Sequence, residues 1–181
     1  MVQVRVQGLA VVAQEVAPVV LLREETGQRR WLAITIGAPE AQELAAAQEQ
    51  VTSTRPGTVE LILEVVTAFG RQVTGVEVTE LRDSIFHADL VLSDGVRVSA
   101  RPSDAIAVGL RAHAPIEVAE EVLAEAAVDV TVAGGEDPAE ALGGDPAEGA
   151  EDEIRQFRDL LDEVSPDDFR DPGTAGPADR E

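Results

Sequence analysis

Between residues 83 and 104 the sequence collects an imidazole, two guanidinium groups and several carboxylates, among them His87, Arg97, Arg101, Asp83, Asp89 and Asp104. Phe86, Ala88, Leu90 and Leu92 alternate with His87, Asp89 and Val91, and Val96, Val98 and Ala100 alternate with Arg97, Ser99 and Arg101. Successive side chains of a strand point to opposite faces, so each run has one apolar and one polar face. Joining the runs by a two-residue Asp94-Gly95 turn pairs Leu92 with Arg97 and mixes the faces. A three-residue loop with Gly95 in the left-handed region pairs Leu92 with Val96 and Leu90 with Val98, and keeps one face apolar. That register sets Ser99 opposite Asp89 and Arg101 opposite His87, so His87, Asp89, Arg97 and Arg101 share a face. Arg101 then runs into Pro102-Ser103-Asp104, the start of a helix. A guanidinium beside free helical N–H groups suits a phosphate. His87 suits proton transfer, and Asp83, Asp89 and Asp104 suit Mg²⁺ or Mn²⁺.

Each residue also has a plain structural role. A mixed-charge strand face is commonly a solvated one, with ion pairs worth roughly 0–1 kcal/mol. Asp104 and Glu40 read as acids that favour a helix N-terminus, and His113 as a cation near a C-terminus.

The elements that must position these groups follow from patterning. Residues 2–12, 18–23, 30–36, 72–81, 85–92 and 96–100 read as strands, by alternation or by continuous apolar runs. Pro39 to about Gln50 reads as a helix. Thr58 reads as the N-cap of a second, with Leu61, Ile62, Val65 and Phe69 at helical spacing up to Gly70. Pro102–His113 and Ala119–Ala127 complete the set. The expected fold is α+β: a mixed or antiparallel sheet with helices packed on one face, over residues 1–128.

From residue 129 the character changes. Residues 129–150 contain GGEDPAE and its near-duplicate GGDPAE, and read as a disordered acidic Gly/Pro/Ala linker. Ile154, Phe157, Leu161 and Val164 recur at helical spacing, so 151–169 reads as a short amphipathic helix. Residues 170–181 read as a disordered tail.

Composition narrows the function classes. The chain has 181 residues, 44% of them apolar and only 3% aromatic, so its core must be aliphatic. No cysteine is present, which excludes disulfides, thiolate metal sites and cysteine nucleophiles. All 14 basic residues are Arg against 35 acids, for a net charge of −21. Residues 1–128 hold 10 Arg and 18 acids, and residues 129–181 hold 4 Arg and 17 acids. A chain so acidic lacks the clustered cations that general counterion release requires, so nucleic acid must be met at a local site or with a divalent metal. No apolar run reaches the length of a membrane span and no leader pattern appears, so a cytoplasmic location without membrane attachment is expected.

Six blocks carry a resemblance to a known family. They are Pro18–Glu24 (PVVLLRE), Ile36–Ala41 (IGAPEA), Arg55–Thr58 (RPGT), Leu81–Ala88 (LRDSIFHA), Ala100–Ala107 (ARPSDAIA) and Pro115–Leu123 (PIEVAEEVL). In this order over residues 1–128 they resemble the bifunctional nuclease domain, and the FRDLLDEVSPDDF segment is similar to the C-terminal extension of actinobacterial members. The resemblance implies an α+β fold, a homodimer or higher oligomer, and phosphodiester hydrolysis of DNA and RNA. The motif positions add Arg55 and Ser103 to Arg101 as phosphate-binding candidates. Where the family shows Thr-His-Asp, this chain has Thr58-Val59-Glu60, leaving Glu60 as the carboxylate there and His87 and the aspartates as the other catalytic candidates. Thr35 stands where the family has Trp, and His87 where it commonly has Tyr. A rival from another class is a non-catalytic homo-oligomeric regulatory module whose acidic tail binds a basic partner or covers the Arg-bearing face.

Overall fold

Short runs of Val, Leu and Ile, broken by Gly, Pro and Asp, can bury themselves only by pairing. In the computed structural model, which describes residues 1–11, 17–51 and 54–131, they do so in one sheet. Its strands are β1 (Val2–Val11), β2 (Pro18–Glu24), β3 (Trp31–Thr35), β4 (Val73–Arg82), β5 (Ile85–Leu92), β6 (Arg97–Ala100), β7 (Ile116–Val118) and β8 (Ala127–Val128). Their order is β6-β5-β4-β7-β1-β2-β3-β8, antiparallel except for the β4–β7 pair. The helices are α1 (Ala38–Gln48), α2 (Thr58–Ala68), α3 (Pro102–Ala112) and α4 (Glu120–Ala126). An α+β fold with a mixed sheet is therefore observed. The linker, C-terminal helix and tail expected beyond residue 131 lie outside the described residues.

The core between sheet and helices is aliphatic. Leu22, Leu32, Val76, Val78, Ile106 and Leu123 are among its fully buried members. At about 25 cal/mol per Å² of apolar surface removed from water, such side chains contribute most of the stabilisation. Helix α3 approaches β4 so closely that a Cβ on Gly109 would overlap the Val76 Cγ2 methyl. Helix α2 buries Val59 and packs Ile62, Leu63 and Val66 partly against the core, while Leu61, Val65 and Phe69 stay exposed along one stripe.

The β5–β6 hairpin has the expected register. Leu90 pairs with Val98 and Asp89 with Ser99. The Leu92 amide donates to the Val96 carbonyl at 2.9 Å, and Gly95 has φ 82°. Val96 and Val98 are nevertheless exposed, because β6 is the edge strand and the helix layer reaches only β5. The β4–β5 turn is tighter: Asp83 and Ser84 both take positive φ, 51° and 63°, the two-residue geometry that matches strand twist.

A second fixture ties β2, β3 and α4 together. The Arg30 side chain donates to Glu24 from Nε at 2.9 Å and from Nη2 at 3.2 Å, and to Glu120 at 2.9 and 3.0 Å. Hydrogen bonding to Arg30 holds the Glu24 carboxyl below its ordinary value of 4.5, against the opposing effect of burial, and also lowers Glu120. Carboxyls with depressed folded-state pKa values stabilise the fold above the unfolded-state value and lose that contribution as pH falls through the folded one. The Tm should therefore drop as pH is lowered past 4.5. Arg30→Met should lower the Tm at neutral pH and flatten this acid limb; an equally steep limb in Arg30→Met would show that other carboxyls carry it.

Candidate functional site

Strand β6 ends at Ala100 because Pro102 has no N–H for a ladder and its ring fixes the φ of a first helical turn. Arg101 becomes the N-cap of α3, with φ −67° and ψ 146°. Its side chain therefore leaves the sheet, and the placement opposite His87 is corrected: the ladder closes at Ala88–Ala100. Arg101 Nε and Nη2 donate to Asp104 at 2.6 and 2.9 Å, and Nη1 donates to Glu40 at 2.8 Å. Asp104, then Glu40, hold the guanidinium above its already high pKa, so it stays charged at every working pH.

Glu40 comes from the first turn of α1. That helix is also capped by an extended residue, Gly37, and neither α1 nor α3 has a side-chain cap hydrogen bond. Two helix N-termini, neither with a side-chain cap hydrogen bond from its N-cap residue, thus come together around Arg101. A Cβ on Gly37 would collide with Glu40 Oε2, so the carboxylate folds back over its own helix start while its other oxygen holds Arg101.

Two cavities meet here. The larger, about 490 Å³, lies between the end of β3, the β4–β5 turn and the start of α3, with Thr35, Ser84 and Phe86 among its walls. The smaller, about 280 Å³, lies between α1, α2 and α3 and includes Asp104 and Thr58. Glu40, Arg101 and Ser103 line both. Ser103 is buried, at 7% exposure.

The other candidates lie elsewhere. His87, Asp89 and Arg97 do share the helix-free face of the sheet, where Arg97 is engaged by Glu77 and lies 4.0 Å from Asp89. Glu77, then Asp89, raise the Arg97 pKa further. Asp83 occupies the β4–β5 turn beside Ser84 but does not line the larger cavity. Glu60 accepts from the Gly57 amide at 3.0 Å and is ion-paired with Arg111 at 3.0 Å, a capping and tethering role. The N-cap of α2 is accordingly Gly57, not Thr58. Arg55 is exposed in the loop before α2 and lines neither cavity.

Asp83, Asp89 and Asp104 therefore do not converge, and no group of three or more His, Asp or Glu side chains among the described residues could hold a metal. Glu40 is the site residue that sequence reading left as a plain helix acid. Its signal was the repeated Gly-x-x-Glu spacing at 37–40 and 57–60, which marks an acid folding back over a helix start, though not the guanidinium it would meet.

A family model for the bifunctional nuclease domain matches residues 20–131, which include α1, α3 and both cavities. The chain belongs to the bifunctional nuclease domain family. Two proteins of Mycobacterium tuberculosis, uncharacterized proteins MT1877 and Rv1829, are each 40% identical over 168 residues, covering 93% of this chain and 98% of theirs. Bifunctional nuclease 1 of Arabidopsis thaliana is 32% identical over 107 residues, 56% of this chain and 33% of that protein. Among the described residues, no helix of this family member is long and apolar enough to cross a membrane.

Proposed function

We propose that the chain hydrolyses phosphodiester bonds of DNA and RNA at the junction of the two cavities. The observation that carries this reading is the convergence of a permanently charged guanidinium, the Ser103 side chain and the starts of helices α1 and α3. Phosphodiester hydrolysis needs charge neutralisation on the phosphoryl oxygens and an activated water. Arg101, Ser103 and the helix amides meet the first need. Glu40, which lines both cavities, serves the second by orienting the attacking water.

Two carboxylates beside one guanidinium leave the site net negative, so an incoming phosphate gains from a cation. Magnesium takes one or two carboxylates and completes its shell with water and substrate phosphate oxygens. Glu40 and Asp104 match that donor count. Bound there, Mg²⁺ or Mn²⁺ would neutralise phosphate charge. Purified protein with Mg²⁺ or Mn²⁺ should degrade single-stranded DNA or RNA, and EDTA should stop it. Product release no higher than a mock-purified control, with every divalent metal tried, would remove this reading.

Homo-oligomer formation belongs to the same proposal, and the exposed Leu61, Val65 and Phe69 stripe supports it. Phe69→Glu should shift the protein to a smaller species by light scattering; an unchanged mass would place the contact elsewhere.

A further inference from the structure

Along β3, Trp31, Ala33 and Thr35 project from the same face. Thr35 and Ala33 line the larger cavity at one end. Trp31 lines a separate cleft of about 230 Å³ at the other, with Gln28, Arg29, Arg30 and Val128. Four residues of strand span about 13 Å, close to four stacked nucleotide steps. The two cavities are therefore connected by one strand, at a spacing that a short length of polynucleotide covers.

Trp31 is braced for stacking. Arg23, its partner across β2–β3, lies over the ring at 5.1 Å from the centroid. Val128 pairs with Trp31 from the opposite neighbour, β8, so the cleft sits on the side away from Arg23. The Arg23 Nε is buried without a hydrogen-bond partner, and the guanidinium carbon faces the indole ring. At about 30 Å³ per water, the cleft has the volume of seven or eight waters, room for a planar heterocycle. Arg29, Arg30 and Asp129 also line the wall, but Arg30 is engaged by Glu24 and Glu120 and Arg29 donates to the Glu25 carbonyl, so what the cleft offers is a stacking surface for a base. Indole rings and guanidinium planes stack any base, without sequence preference.

Resting on the nuclease reading, we infer that the Trp31 cleft takes a nucleobase of a single-stranded DNA or RNA whose phosphate lies at Arg101. Trp31 and Arg23 act as positioning residues: they hold the strand along β3 and take no part in bond cleavage.

Trp31 is the chain's single Trp and there is no Tyr, so its emission reports this cleft alone. Full-length protein in EDTA is titrated with a single-stranded oligonucleotide of roughly ten nucleotides, and with an abasic strand of equal length. Saturable quenching by the first and none by the second is expected. Trp31→Ala should weaken binding of a labelled oligonucleotide about 5- to 100-fold, and raise KM with kcat retained. Trp31→Phe, which keeps a ring, should recover part of the affinity and serves if Trp31→Ala fails to fold. Equal quenching by the abasic strand would show a backbone contact only and overturn the inference. Wild-type hydrolysis with unchanged Trp31 emission would overturn it while leaving the nuclease reading intact. Absence of hydrolysis would overturn the nuclease reading, and the emission titration would still decide the cleft.

Discussion

Replacing Arg101 by Ala should reduce phosphodiester hydrolysis about 100- to 1,000-fold, the loss seen when one preorganised donor to a developing oxyanion is removed. The reason is geometric. Arg101 is the cation at the junction of the two cavities, and its orientation is imposed by Asp104 on one edge and Glu40 on the other. Lys at this position should recover little, because a point charge cannot span two carboxylates and a phosphate as a planar fork does. Stability should barely change. The Arg101 side chain is 65% exposed, and exposed pairs contribute little. Gly37→Ala reports on the same arrangement from the other side. Its backbone, φ −77° and ψ 162°, accepts Ala, but the new methyl displaces Glu40. Circular dichroism and thermal melts of each variant, beside the rate, separate lost chemistry from lost fold.

Gly109→Ala should destabilise the protein by about 1–3 kcal/mol, although Gly→Ala inside a helix ordinarily stabilises by about 1 kcal/mol. The added methyl would enter the space of Val76 Cγ2, and Val76 is wholly buried in β4. Helix α3 would have to lift from the sheet, carrying Arg101 and Ser103 at its start. A fall of several degrees in Tm is expected. Val76→Ala added to Gly109→Ala should cost less than the two single losses together, because each relieves the other. A rise in Tm for Gly109→Ala would mean that helix propensity prevails and that the close approach is not required.

Much of this architecture was legible in the residues themselves. The β5–β6 register followed from keeping Leu90 and Val98 on one face, and the left-handed Gly95 confirms it. The helix after Arg101 followed from Pro102 and Asp104. Two kinds of feature escaped. Strand β7 is three residues long, Ile116–Val118, too short for periodicity, yet it pairs with both β4 and β1 at the centre of the sheet. The site itself is tertiary. The same cavity is walled by β3 and by the β4–β5 turn, strands far apart in the sheet order. No local pattern reports that meeting, or that Glu40 reaches Arg101 from 61 residues away. Alternation gathered His87, Asp89 and Arg97 on one face, and extended that face by one residue too many, to Arg101. The departure of Arg101 into α3 is what moves the phosphate site from the open sheet face to the helix junction.

That relocation is best tested by steady-state kcat/KM on a single-stranded oligonucleotide for wild type, Arg101→Ala and His87→Ala, prepared and assayed in parallel. The helix-junction site predicts a loss of about two to three orders of magnitude in Arg101→Ala and near-wild-type turnover in His87→Ala. Full activity in Arg101→Ala with loss in His87→Ala would contradict it, and would return the chemistry to the helix-free face of the sheet.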